Sequence, residues 1–127
     1  MQERENDYLR ITDGWEPSDS ILQKKISGMV ETTYPYLKNF PKTERHDLTA
    51  RIKSKLYDLV ELAVDCDSRN RKTALEKLDL QNKQLKKLVR LAFRLRFLAP
   101  KHYERWMALL KEIGQIIGGR LNGLGGK

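Results

Sequence analysis

The sequence predicts an all-α protein, folded as an antiparallel four-helix bundle with up-down-up-down topology. Three observations support this fold class. Apolar residues recur at helical spacing in four separate segments. The stretches between these segments are short and contain proline, asparagine, aspartate or serine, which favour turns. Nowhere do β-branched and polar residues alternate as they do in strands. An extended helical hairpin that assembles only in an oligomer is the alternative fold.

The length and composition fit one domain with a flexible segment at each end. The chain has 127 residues, of which 39% are hydrophobic and 33% charged, a balance typical of globular domains. We assign residues 1–17 to an acidic arm, 18–121 to the bundle and 122–127 to a flexible glycine-rich tail. No apolar run approaches the roughly 20 residues of a membrane span, and the polar N-terminal segment does not resemble a signal peptide. We therefore expect a cytoplasmic protein without a membrane partner.

The first two helices are bounded by capping residues and prolines. Helix one is expected to start near Ser20, which has with Gln23 the spacing of a capping box, and to end between Pro35 and Pro41. Helix two follows Pro41, which suits a first helical turn, and its apolar stripe ends at Cys66. As the single cysteine, Cys66 cannot form an intrachain disulfide, and we expect it to act as a small buried apolar residue.

Helix three is predicted over residues 72–99 and helix four over residues 101–121, with Pro100 between them. Proline inside a helix removes a backbone hydrogen bond, so Pro100 should end or redirect helix three. Gly114 and Gly118 lie on one face of helix four, and each costs about 1 kcal/mol relative to alanine in an exposed helix. Close approach of a neighbouring helix would offset that cost, and we predict that this glycine face is an oligomer or partner interface.

The stretch LKKLVRLAFRLRFLAP, residues 85–100, is more apolar than one bundle helix requires. One seam is sufficient for the bundle core, and it consists of Leu88, Ala92, Leu95 and Ala99. Val89, Phe93 and Phe97 form a second row. The second row predicts an additional buried surface against another subunit or a partner protein. A broad stripe that meets two neighbouring helices of the same bundle is the alternative.

Positive charge is concentrated in the same region. The net charge is +8, and residues 69–111 hold thirteen lysines and arginines against three acids. Helix three has no acid after Asp79, so its cations repel one another, and a bound polyanion would relieve this repulsion and release counterions. We predict nucleic-acid contacts at Lys83, Lys86, Lys87, Arg90, Arg94 and Arg96. These side chains would contact phosphates and would not read base sequence.

Nothing in the sequence indicates catalysis, a metal site or a cofactor. His46 and His102 each lie where a helix is expected to start, and we interpret both as surface residues. The GxxxxGK[ST], HExxH and GxSxG motifs are absent, as are the repeated Glu-x-x-His motifs of a di-iron bundle. We expect a protein that is not an enzyme and takes no small-molecule substrate.

Three stretches together resemble a known group of four-helix bundles. They are FPKTERHDLTARI before helix two, LVRLAFRLRFLAPKHYERW across the third turn and LLKEIGQIIGGR in helix four. They are similar to the superfamily that includes proteins encoded in intervening sequences of bacterial 23S rRNA genes. The closer resemblance is to its branch that accompanies diversity-generating retroelements, the accessory variability determinant proteins. The resemblance covers roughly residues 20–121, and the acidic arm has no counterpart in it.

The resemblance implies a ring-like homo-oligomer, a pentamer, that binds the reverse transcriptase of the retroelement together with its template RNA and cDNA. Such a complex makes mutagenised cDNA, and the accessory protein is not its polymerase. The basic residues of helix three would match the family by type and region. One alternative is a basic RNA-binding bundle of the rRNA-associated branch, and another is a structural bundle whose only function is its oligomer surface.

Overall fold

The computed structural model of the protein describes residues 19–68 and 71–125. Four α-helices occupy most of these two ranges, and neither range contains a strand: α1 (Ile21–Thr33), α2 (Leu48–Asp65), α3 (Arg71–Arg94) and α4 (Pro100–Gly125). Two short 3-10 helices, Tyr34–Asn39 and Lys42–Glu44, connect α1 to α2. The acidic arm predicted at residues 1–17 lies outside the described residues.

The helices form the predicted four-helix bundle. α1 packs against α2 and α4, and α3 packs against the same two helices, so each helix has two neighbours around a shared core. Short connections reverse the chain direction between successive helices, which makes the bundle antiparallel. The largest fully buried side chains include one from each helix, namely Ile26, Leu56, Leu85 and Trp106. The apolar core is therefore continuous across all four helices.

α3 faces the core with a different set of residues from the predicted seam. Its buried positions are Ala74, Leu75, Leu78, Asn82, Leu85, Val89 and Ala92. Val89 is fully buried because it continues this stripe, and it does not belong to the outward interface for which it was predicted. Leu95 is 48% exposed and Ala99 is exposed as well. Both lie beyond the end of α3, which removes them from the predicted core seam.

A hydrogen-bonded turn ends α3 at Arg94, five residues before the predicted end. The amide of Phe97 donates to the carbonyl of Ala92, and the amide of Arg96 donates to the carbonyl of Phe93, both at 2.9 Å. These two bonds form a Schellman motif, in which the residue after the helix adopts a left-handed conformation. Arg96 has that conformation, with a φ of 66°, where glycine is the usual residue.

Pro100 begins α4 and does not itself end α3. It occupies the first helical turn, where the missing N–H is not needed, and the amide of Tyr103 donates to the carbonyl of Ala99 at 2.9 Å. α4 then continues to Gly125, past the predicted end at Leu121. Residues 122–125, which we had assigned to the flexible tail, are therefore helical.

Gly114 makes room for a buried amide between α3 and α4. The side-chain nitrogen of Asn82 donates to the carbonyl oxygen of Leu110 at 3.2 Å, and a Cβ on Gly114 would lie 3.5 Å from that nitrogen. Gly114 therefore faces the inside of its own bundle, because it lies opposite a buried side chain of α3. A Cβ on Gly118 would meet no atom within 4 Å, so packing within the chain does not explain that glycine.

Polar side chains tie the bundle together at the end that contains the α2–α3 connection. Ser20 caps α1 as predicted, accepting a hydrogen bond from the amide of Gln23 at 3.2 Å. Gln23 and Arg120 contact the two carboxylate oxygens of Asp67 at 2.6 and 3.1 Å. Burial acts to raise the pKa of Asp67, but hydrogen bonds from three side chains, Ser20 included, outweigh it and hold that pKa below its usual value. The adjacent Cys66 is buried as predicted, and burial raises the pKa of its thiol to about 11.

Candidate nucleic-acid interface

The α1–α2 connection and the α3–α4 turn meet at the opposite end of the bundle, where aromatic rings join them. Tyr36 from the connection stacks on His102 at the start of α4, with ring centroids 4.0 Å apart. Phe40 from the same connection packs against Phe97 of the turn, with centroids 5.9 Å apart. Two segments that lie far apart in the sequence thus form one continuous surface.

This surface carries the excess positive charge of the bundle. We define the basic end as residues 30–55 and 86–108, which comprise the two connections and the helical turns next to them. It holds thirteen lysines and arginines against four acids, whereas the other described residues hold eight of each. The described part of the chain is thus balanced in charge everywhere except at the basic end, where the electrostatic potential attracts polyanions.

Sequence analysis identified only the part of the basic end that follows helix two. The α1–α2 connection and the first turns of α2 add a second group of cations: Lys38, Lys42, Arg45, Arg51, Lys53 and Lys55. The up-down-up-down topology contained the signal for this group, because such a topology places the first and third connections at the same end. Charge counted along the sequence alone does not reveal it.

The six predicted contact residues do not form one uniform row. Four of them are exposed within the basic end, namely Lys87, Arg90, Arg94 and Arg96. None of these four forms an ion pair with a carboxylate among the described residues. Lys86 is half-buried. Lys83 lies outside the basic end and pairs with Asp79 at 2.9 Å, so its charge is already partly neutralised.

The predicted interface residues are dispersed over the bundle. Val89 and Gly114 face its interior. Phe93 is half-buried and stacks on the ring of Tyr103 with centroids 4.2 Å apart, and Phe97 is half-buried at the basic end. Gly118, on the face of α4 described above, is the member of the set with open space in front of it. The set therefore does not form one contiguous outward surface.

The large apolar side chains that α3 and its turn expose are leucines that sequence analysis had placed in or near the core. Leu80, Leu91 and Leu95 are 54%, 44% and 48% exposed. Leu91 lies one helical turn from both Lys87 and Arg94, so apolar and basic groups share this face. Exposed apolar side chains in a row are typical of a surface that contacts another protein or subunit.

A concavity of about 770 Å³ opens at the basic end, where the connection and the turn meet. We call it the end cavity. It is lined by the rings of Tyr36, Phe93, Phe97 and His102, by the side chains of Arg94, Arg96 and Asn39, and by residues 98–100. Its wall combines aromatic rings, guanidinium groups and one amide, and no carboxylate lines it.

A second aromatic group lies between α1 and α2. The hydroxyls of Tyr34 and Tyr57 share a hydrogen bond of 2.8 Å, and the Lys53 ammonium lies 5.4 Å from the centre of the Tyr34 ring, within reach of a cation–π interaction. The hydrogen bond with Tyr34 is the largest of the effects that raise the pKa of Tyr57 above its usual value. This group adds exposed aromatic surface beside the basic end.

The histidines and acids suggest no metal centre in the two described ranges. No group of three or more His, Cys, Asp or Glu side chains there is placed to hold a metal ion. His46 is exposed, as predicted, whereas His102 is half-buried beneath Tyr36 and was missed as part of an aromatic cluster. Within the same ranges, no helix combines the length and apolar composition that a membrane crossing requires.

Comparison with known proteins identifies one family. Residues 20–124 match the family model described as bAvd-like, so the match extends from the cap of α1 to the last turn of α4. No curated protein matches the sequence.

Proposed function

Because the chain belongs to the bAvd-like family, we propose that it is a non-catalytic accessory variability determinant of a diversity-generating retroelement. In this role it binds the reverse transcriptase of the element, together with the template RNA and the cDNA, and supports mutagenic reverse transcription in the cytoplasm. The family match supports the general role, and the basic end supports contact with nucleic acid.

The observation that carries the nucleic-acid part of the proposal is the convergence of thirteen cations on one end of the bundle. Repulsion among unpaired cations on one surface destabilises the free protein by a few tenths of a kcal/mol for each close pair. A phosphate backbone laid across this end relieves the repulsion and releases counterions. The exposed Lys87, Arg90 and Arg94 on α3 are suited to phosphate contact and carry no code for base sequence.

The exposed leucines of α3 support the assembly part of the proposal. Leu91 and Leu95 present apolar surface next to cations, and contact with another subunit or with the polymerase would remove that surface from water. By resemblance, we propose a ring-like homopentamer. Native mass spectrometry at micromolar concentration should show such an assembly, and a monomer under these conditions would contradict it.

The partner assignment is tested by co-purification. The tagged protein, expressed with a reverse transcriptase encoded beside its gene and with the adjacent template repeat, should retain both the enzyme and the RNA. Retention of RNA without the enzyme would favour the rRNA-associated branch, and retention of neither would favour a purely structural bundle.

The contact surface is tested by charge reversal. Replacing Lys87, Arg90 and Arg94 by glutamate should abolish RNA association while the far-UV helical signal remains. A matched triple reversal of exposed lysines outside the basic end, at Lys72, Lys77 and Lys111, should leave most of the affinity intact. The salt dependence gives the count, since each lost phosphate contact on a single strand lowers the slope of log K against log salt by about 0.7. Equal losses in both variants would show that net charge, and not the basic end, governs binding.

A further inference from the structure

The end cavity has the composition of a site for an unpaired nucleotide. Its volume of about 770 Å³ lies within the roughly 300–1,000 Å³ of small-molecule sites. Aromatic rings offer faces or edges on which a nucleobase can pack, and every base has such a face whatever its sequence. Asn39 provides an amide that can donate to and accept from a base edge, and two arginines provide forks that match phosphate oxygens.

We propose that the end cavity receives one unpaired nucleotide of a bound single strand, with its base against the aromatic wall and its phosphate against Arg94 and Arg96. The inference rests on the proposed nucleic-acid function and adds to it a defined subsite. The cations elsewhere on the basic end hold the backbone without regard to the bases, whereas the cavity distinguishes a strand with exposed bases from a paired duplex.

The backbone of Arg96 is an independent observation that points to the same place. A non-glycine residue in the left-handed region is strained, and such strain clusters at functional sites. Glycine would complete the Schellman motif without strain, yet this chain has an arginine at φ 66°, and its side chain lines the cavity. A guanidinium group at this point is useful to an anion site and has no part in ending the helix.

The charge of the cavity favours a nucleotide over an apolar protein segment. No carboxylate lines the cavity, and neither arginine is neutralised by a described acid. An apolar peptide would bury these guanidinium groups without a partner, which is costly. A nucleotide supplies both the aromatic and the anionic component.

The test compares two probes of equal charge: single-stranded oligouridylate and an abasic ribose-phosphate strand of the same length. The wild-type protein should bind the base-bearing strand roughly 5- to 100-fold more tightly, the range that stacking of one base supports. Phe93→Leu keeps an apolar side chain at the cavity wall but removes the ring, and it should abolish most of this preference while leaving the salt-dependent affinity for the abasic strand. Tyr57→Leu, which removes an exposed ring outside the cavity, should keep the preference.

Each outcome decides the inference. Equal binding of the two strands by the wild type would overturn the cavity while leaving the nucleic-acid function intact, and so would an undiminished preference in Phe93→Leu. Absence of binding to either strand would overturn both. Loss of reverse-transcriptase co-purification in Phe93→Leu, with strand preference unchanged, would assign the cavity to the protein partner instead. The circular-dichroism spectrum of Phe93→Leu confirms that the bundle is folded in each comparison.

Discussion

Replacing Arg96 by glycine should stabilise the bundle, although it removes a side chain and adds none. Arg96 is the residue after α3, and its φ of 66° is a conformation that costs an L-residue roughly 1–2 kcal/mol. Glycine adopts it without that penalty. The two hydrogen bonds of the turn are made by backbone groups, so the substitution preserves both.

Two opposing terms set the magnitude of this stabilisation. Relief of backbone strain contributes about 1–2 kcal/mol, and the greater freedom of glycine in the unfolded chain takes back about 0.5–1 kcal/mol. The net gain is therefore about 0.5–1 kcal/mol. For a domain near 100 residues, 1 kcal/mol corresponds to roughly 4–8 °C in melting temperature. We expect a rise of about 2–8 °C.

Thermal unfolding followed by circular dichroism measures this shift, and Arg90→Gly is the matched control. Arg90 is exposed within α3, so the control makes the same substitution and removes the same charge from the same end of the bundle. In a helix interior, glycine is less favourable than arginine by somewhat under 1 kcal/mol, and the melting temperature of the control should fall. If both variants shift in the same direction, relief of charge repulsion or a general effect of glycine explains the data, and the argument from strain at Arg96 is refuted.

Two further substitutions test the packing and the electrostatics of the rest of the bundle. Gly118→Ala should raise the free energy of unfolding by up to about 1 kcal/mol, because its Cβ meets no atom of the chain within 4 Å, and a lower melting temperature would show that another subunit covers this face. Gly114→Leu should instead lower the melting temperature, since overpacking against Asn82 costs about 1–3 kcal/mol and exceeds the propensity gain of under 1 kcal/mol. The depressed pKa of Asp67 means that its contribution to stability is present above about pH 4 and is lost as the pH falls through the folded-state pKa. Asp67→Asn should therefore destabilise the protein by at most about 1 kcal/mol at neutral pH and flatten the acid side of its stability profile, and an unchanged profile would show that the Asp67 contacts do not stabilise the fold.

The number of helices and the first helix cap could be predicted because they depend on local pattern. Ser20 and Gln23 had the right spacing, and the cap forms. The orientation of α3 could not be predicted in the same way, because leucines and other apolar residues occur on more than one of its faces. Val89 was therefore placed outside and Leu95 inside, the reverse of their burial. Only contact with α2 and α4 decides between two apolar stripes on one helix.

The end of α3 was mispredicted for a related reason. A helix end is usually recognised by glycine or proline, and the first such residue after helix three is Pro100. The Schellman turn instead places an arginine where glycine is expected, and no sequence rule signals that substitution. The composition of the end cavity was unpredictable from sequence for this reason, since it depends on the turn that positions Arg96 and Phe97 beside Tyr36.

The topology of the bundle explains why charge, aromatic rings and strain occur together at one end. In an antiparallel four-helix bundle the first and third connections share an end, whereas the second lies alone at the other. The shared end has twice as many connections, and connections are where a fold tolerates irregular backbone and carries function. Here the lone connection adjoins a compact hydrogen-bonded group around Asp67, and the two that meet provide the cavity and thirteen cations. A binding surface at the shared end can therefore change its side chains and its turn without disturbing the continuous core that fixes the four helices.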